Sequence, residues 1–281
     1  MATDFRSRDA GPLTAEEWRS VELAAIETAR HQLIGRRFLA LYGPLGSGVE
    51  FVELDLLGPP RAAAVSLQGD EDAPPLRPAR RRILPLPLLY RDCLVFWRDL
   101  ERARMNGAGL ETSAIVAAAA EVAAAEDQLI FHGNPELGIE GLLTAADTHA
   151  VQLGDWNAAG EAYQQVVRAV AQLQQAGHPG PYALVLSSDR FARLERVHDM
   201  TGTLELVAVE RLVRGPVLPC PVISGGVLLD PSAANMDLAV GIDLTVAYAD
   251  NDQMNHRLRV LETVVLRLKR PSAVLRLVPS P

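Results

Sequence analysis

Residues 110–133 read LETSAIVAAAAEVAAAEDQLIFHG, the clearest long helix in the chain. Acidic Glu111 and the hydroxyls of Thr112 and Ser113 suit a helix start, where unpaired amides favour negative charge. Ile115, Val122 and Leu129 recur every seven residues with Val116 beside them, so one face is apolar along its length. The intervening alanines are strong helix formers and let another element approach closely. The pattern predicts a helix over 110–131 that acts as a packed spine. Its apolar run, 114–120, is closed by Glu121, far short of the roughly 20 residues a membrane span requires.

Working outward toward the N-terminus, Thr14 and Glu17 form a capping-box pair, and Leu13 stands in register with Trp18 for a hydrophobic staple. A helix should begin at about residue 15. Val21, Ala25 and Ile26 carry its apolar face through Leu33, until Gly35 stops it. Residues 38–42 then read as a short strand running into Gly43-Pro44-Leu45-Gly46-Ser47-Gly48. That glycine order matches neither the dinucleotide fingerprint nor a Walker loop, which needs Lys and Ser or Thr after its last glycine. Residues 55–82 carry five prolines, the acidic run Asp70-Glu71-Asp72 and the basic run Arg80-Arg81-Arg82, which reads as a solvated loop. Such a segment cannot bury a face of its own. It is either a loop without fixed structure or an extended arm that becomes ordered against a neighbouring subunit.

Toward the C-terminus, residues 157–175 form a second amphipathic helix, with Tyr163, Val166, Val170 and Leu173 on its apolar side and Gly177 as its stop. A buried strand over 182–186 and a short helix over 189–197 follow, a mixed α/β succession. Leu238, Val240, Ile242, Leu244, Val246 and Tyr248 alternate with smaller or more polar residues, the period of one half-buried strand. Residues 257–269 and 273–278 continue as sheet.

With 281 residues and 48% hydrophobic content, the chain can bury a proper core. A formal charge of −8 repels phosphate backbones, and 5% aromatic residues are too few for base-stacking platforms, so no nucleic-acid partner is expected. Cys93 and Cys220 lie far apart without a Cys-x-x-Cys pair, which fits a reducing cytosol. Residues 1–11 are polar and hold no signal-peptide core, so the expected location is cytoplasmic, with no membrane partner.

Chemistry-bearing constellations are missing. The six histidines are dispersed, none at ligand spacing from another. Glu195-Arg196-Val197-His198 matches the Glu-x-x-His pattern of di-iron bundles, but that site needs a second copy and two more glutamates on long helices. No Gly-x-Ser-x-Gly elbow occurs, and Cys93 sits among Leu94, Val95 and Phe96 as a small hydrophobe. No catalytic or metal-ligating residue is assigned, and the chain is not expected to be an enzyme.

Several segments together resemble one family. Gly35-Arg36-Arg37-Phe38 and Gly43-Pro44-Leu45-Gly46 resemble the end of the N-terminal helix and the next strand of the classical (family 1) encapsulins, the linocin-like shell proteins. The run from Ala125 to Gly133, followed by Gly138-Ile139-Glu140-Gly141-Leu142, resembles that family's spine and its glycine-marked exit. Gly180-Pro181-Tyr182-Ala183-Leu184-Val185-Leu186 and Val240-Gly241-Ile242-Asp243-Leu244-Thr245-Val246 resemble its later core strands. The matches keep their order from Leu13 to about Leu277.

The resemblance implies an α+β fold of the tailed-phage major-capsid type, preceded by an N-terminal helix. Residues 1–54 and 83–143 would build the peripheral domain, 55–82 the extended loop, 144–235 the axial domain, and 236–281 strands returning to the peripheral domain. It further implies self-assembly into an icosahedral nanocompartment that captures cargo enzymes through a short C-terminal peptide, for iron storage or oxidative-stress defence. Ile34, Arg36, Leu244 and Val246 fall at the peptide-docking groove. His198, Asp199, Thr201 and Glu205 fall at a symmetry-axis pore, to which the acids would give a cation-attracting character. Trp97 aligns with a tryptophan on which some members stack a flavin; a basic residue accompanying it there is Leu89 here. For each of these positions ordinary packing or solvation is the competing reading. Two other functions stay open: a phage or prophage major capsid protein packaging DNA, and a mixed α/β hydrolase.

Overall fold

The computed structural model describes residues 4–58, 63–68, 75–107, 109–197 and 202–279. Among the described residues the α-helices are α1 (Ala15–Gln32), α2 (Trp97–Asn106), α3 (Ser113–His132), α4 (Glu161–Gln175), α5 (Ser188–Leu194) and α6 (Glu205–Val213). The strands of the first half are β1 (Leu41–Tyr42), β2 (Phe51–Leu57), β3 (Pro78–Pro85), β4 (Leu88–Val95), β5 (Gly133–Asn134), β6 (Ile139–Glu140) and β7 (His149–Gln152). Those of the second half are β8 (Ala183–Ser187), β9 (Val217–Cys220), β10 (Gly226–Leu229), β11 (Met236–Val240), β12 (Thr245–Asp252), β13 (Asn255–Leu268) and β14 (Val274–Val278).

Helix α1 begins where its cap dictates. The Thr14 hydroxyl accepts from the Glu17 amide, the Glu17 carboxylate accepts from the Thr14 amide, and Leu13 and Trp18 are buried in one cluster. Such reciprocal capping contributes about 1 kcal/mol. The N-terminal half of α3, through Ile115, Ala119 and Val122, packs with α1, β4, β12 and β13. Its C-terminal half, Leu129 to Phe131, enters a second cluster under β2, β3 and β11. The helix therefore joins two cores, as a spine must.

Long β13 organises the first sheet. Residues 256–263 pair with β4, residues 255–261 pair with β12, and residues 264–268 pair with β11, whose other edge holds β1 in parallel. The second sheet runs β7-β14-β10-β8-β9 and is covered by α4, α5 and α6 around Trp156, Tyr182 and Leu194. This second layer is a separate core joined to the first where α3 ends. At that junction Gly133 has φ +71° and a Cβ there would stand 2.2 Å from the Ile139 carbonyl oxygen; one at Gly141 would stand 2.4 Å from the Gly133 nitrogen. Only glycine permits the two backbones to pass so closely.

Several sequence expectations are corrected. The strand expected over 38–42 is reduced to Leu41–Tyr42, because a 3₁₀ turn over Gly35–Arg37 delays it. The single half-buried strand expected over 238–248 is two strands broken at Gly241, and β11 is buried on both faces. Arg80, Arg81 and Arg82 lie in β3, where Arg81 pairs with Glu53 at 2.9 Å and Asp55 at 2.7 Å and Arg82 pairs with Glu140. Segment 55–82 is not all loop: β2 and β3 form a two-stranded hairpin from Phe51 to Pro85. The acidic run 70–72 lies outside the described residues. The last strand, β14, joins the second sheet beside β7 instead of returning to the peripheral one. Strand β4 and helices α2 and α6 were not anticipated.

Candidate functional site

The turn after α1 is held by two acids of the spine. Asp127 accepts from the Ile34 amide at 2.9 Å and the Gly35 amide at 2.8 Å, fixing the 3₁₀ turn by which the chain leaves the helix. Gly35 is required for a second reason, since a Cβ there would meet the Ile130 side chain at 2.4 Å. Burial pushes the Asp127 carboxyl up to about 6 against the pull of those two amides.

Arg36 follows immediately and reaches inward. Its Nε donates to both Glu126 oxygens at 2.9 Å, and its Nη2 donates to Glu126 at 2.7 Å and to Glu262 of β13 at 2.6 Å. Its Nη1 donates at 2.6 Å to Asp243, in the turn between β11 and β12. Glu126 and Glu262 have fully buried side chains, whereas Asp243 is 63% exposed. One guanidinium thus fastens the end of α1, the spine, the long central strand and a surface turn.

A groove of about 350 Å³ opens above this cluster. Ile26, Ala29 and Leu33 of the α1 face form one wall and Leu41 and Leu244 the other; Arg30, Arg36, Arg37 and Asp243 supply the polar rim. Of the four residues expected at a peptide-docking groove, Arg36 and Leu244 line this one. Ile34 and Val246 are not: Ile34 is buried in the cluster beneath β2 and β11, and Val246 is buried with Trp18 and Val21. Leu33 takes the position that Ile34 was expected to hold, because the 3₁₀ turn rotates Ile34 toward the core. The carbonyl of Val246 accepts from Arg8, whose guanidinium also pairs with Glu22 at 2.6 Å and covers the Trp18 ring.

The expected pore residues divide. His198, Asp199 and Thr201 lie outside the described residues. Glu205 is 5% exposed and lines a cleft with Asp155, Glu161 and Thr203; it accepts from the Tyr163 amide at 2.8 Å and the Gly160 amide at 3.4 Å. It is a cap supplied to α4 by the start of α6, satisfying amides that a helix terminus leaves unpaired. Trp97 opens α2 half-exposed, with Arg98 5.5 Å from its ring centre, while Leu89 is partly buried against both peripheral clusters. These neighbours leave the flavin expectation standing on the resemblance alone.

Reading the sequence singled out neither Glu126, Asp127 nor Glu262 as functional. A signal was present: two adjacent acids in an alanine-rich apolar helix, and one acid inside the run Val260-Leu261-Glu262-Thr263-Val264-Val265. Acids buried in that way need partners: Arg36 for Glu126 and Glu262, and the Ile34 and Gly35 amides for Asp127.

The family model described as "Encapsulating protein for peroxidase" matches residues 3–265. A type 1 encapsulin shell protein of Myxococcus xanthus is 40% identical over 96% of this chain and 95% of its own length. A diheme-cytochrome–encapsulin shell fusion protein of Kuenenia stuttgartiensis is 39% identical over 93% of this chain and 72% of its own. Among solved structures, a virus-like particle from Pyrococcus furiosus superposes with a TM-score of 0.75 at 19% identity, covering 94% of this chain and 99% of that one. The capsid of Myoviridae phage XM1 superposes at 0.64 with 14% identity, covering 87% and 90%.

Proposed function

The chain belongs to the encapsulin family of shell proteins, and on that premise we propose that its copies close into an icosahedral compartment around cargo proteins. The observation that carries this reading is the match along nearly the whole length of a type 1 shell protein at 40% identity. The α+β fold, with its capsid-type arrangement of spine, two sheets and hairpin, is the same architecture.

The surface of the subunit supports self-assembly. The β2–β3 hairpin is a sheet of only two strands, and Phe51, Leu57 and Ile83 on it are 55%, 44% and 66% exposed. Val52, Leu54 and Leu84 pack its inner face, while these exposed apolar side chains flank the Arg81 ion pairs on the outer face and suit cover by a neighbour. Leu88, Tyr90 and Leu94 of β4 add a second exposed apolar row on an edge strand.

Cargo capture is assigned to the groove beside α1. Its apolar walls and arginine-bearing rim suit a short extended peptide that buries alternate side chains and fixes its backbone by polar contacts. The cargo is a redox protein for iron storage or oxidative-stress defence, which the family description and the cytochrome fusion of the Kuenenia relative support. The shell works in the cytoplasm; among the described residues no helix is long and apolar enough to cross a membrane.

Negative-stain electron microscopy with size-exclusion chromatography of the purified protein tests the shell. Uniform hollow particles eluting near the void volume are expected; a monomer or dimer would overturn it. Co-expression with the source genome's encapsulin-neighbouring gene tests the groove. Leu244→Asp should give intact shells that no longer retain that product, and unchanged retention would remove the groove from the reading.

A further inference from the structure

The buried cluster under the groove is unbalanced in charge. Glu126 and Glu262 are both fully buried and both within 2.7 Å of the same guanidinium, so one cation faces two enclosed carboxylates. Asp243, the third acid on Arg36, lies at the surface and is hydrated. Among the described residues no donor lies within hydrogen-bond distance of Glu262 Oε1, although that oxygen is buried. A carboxylate oxygen can only accept, and a buried acceptor without a donor is costly; a carboxylic acid supplies its own donor.

We propose that Glu262 carries a proton at neutral pH and donates it to Glu126, and that this proton is a latch holding the α1 end and the groove floor onto the sheet. With it, the buried set is one guanidinium, one carboxylate and one neutral acid. Without it, a second negative charge lies in the core, and relief comes from pulling Arg36 or Glu126 out of register. Both belong to the groove's foundation.

The groups facing Glu262 agree with this assignment. Glu126 and Asp127 come from α3, Arg36 from the turn after α1, and Asp243 from the β11–β12 turn, while its partner across the ladder on β4 is Leu89. Arg37 acts on Asp127 but forms no hydrogen bond to this pair, donating instead to the His31 carbonyl. Burial raises the Glu262 carboxyl well above its ordinary value, the Glu126 charge raises it further, and Arg36 opposes both without reversing them.

The latch makes stability fall as pH rises. The folded chain holds a proton that the unfolded chain has released above the ordinary glutamate range, so each pH unit below the folded titration point costs up to about tenfold in the folding equilibrium. His178 and His256 are pushed down by burial and titrate below neutrality, and burial pushes Cys93 and Cys220 up to about 11. A window of about pH 7 to 8.5 lies between these groups, and comparison with Glu262→Gln reads the latch within it.

Difference infrared spectroscopy of the intact assembled protein reads the proton directly, and this measurement does not depend on the groove's role. A protonated-carboxyl band is expected at pH 7.5 in the native protein, with loss at alkaline pH. Glu262→Gln should lack the band and should melt at a temperature that no longer falls across the window. If that variant does not fold, Glu126→Gln, which leaves Glu262 as the one buried carboxylate on Arg36, should also lack the band. Absence of the band in the native protein, or its persistence in both variants, overturns the latch. Retention of the cargo-gene product, measured separately, bears on the groove and not on the proton.

Discussion

Replacing Arg36 by alanine removes the only cation among the described residues bonded to Glu126 and Glu262, whose side chains have no exposure to water in the subunit. Removing one partner of a buried ionic set costs about 3–5 kcal/mol, since an uncompensated charge stays in a low-dielectric site. At roughly 2–4 °C per kcal/mol for a chain of this size, the melting temperature should fall by about 6–20 °C at pH 8. At pH 5 the abandoned Glu126 carboxylate can also take up a proton, as Glu262 already has, so the loss should shrink to less than half. The assay is thermal unfolding by circular dichroism at both pH values, at matched subunit concentration, with size-exclusion chromatography of the same samples. Arg36→Lys should fall in between, because an ammonium cannot reproduce the fork that serves three carboxylates at once. A loss under about 2 °C at pH 8, or an equal loss at both pH values, would refute the account of the cluster.

Ile83→Asp, on the exposed row of the hairpin, should leave the circular dichroism spectrum unchanged and shift the protein from large assemblies to small species on size-exclusion chromatography. Glu205→Ala uncaps α4 at a cost of about 1–2 kcal/mol, so hydrogen exchange at the Tyr163 amide should accelerate by roughly 5–30-fold, and Glu205→Gln should recover part of the protection. Asp127, held up at about 6 by burial, contributes stability that is present below its ordinary range and lost as pH rises toward 6; Asp127→Asn should remove that dependence, seen as a melting-temperature difference from the native protein that changes between pH 4 and 6.

Local rules were sufficient for much of the chain. The α1 start lies in Thr14 and Glu17 because a cap acts within one turn. The α3 spine lies in a seven-residue apolar recurrence on a background of alanine, and α4 in the spacing of Val166, Val170 and Leu173, although it starts at Glu161, four residues later than expected. Arg36 and Leu244 were reachable only through the likeness of ordered segments to a known shell family, since neither residue is remarkable in its own neighbourhood. The break at Gly241 was hidden because β11 and β12 happen to keep one alternation across it.

The sequence by itself therefore determined the elements with strong periodicity or caps, the absence of a catalytic motif, and through ordered resemblance the family. Tertiary structure decided what depends on residues distant in the chain. It placed β14 in the second sheet, made Glu205 a helix cap 42 residues from Tyr163, and rotated Ile34 and Val246 into cores. It also brought Arg36, Glu126 and Glu262 together across separations of 90 and 226 residues. A burial pattern reports whether a position faces inward, but which charge it meets there is fixed only when helix, turn and strand are packed.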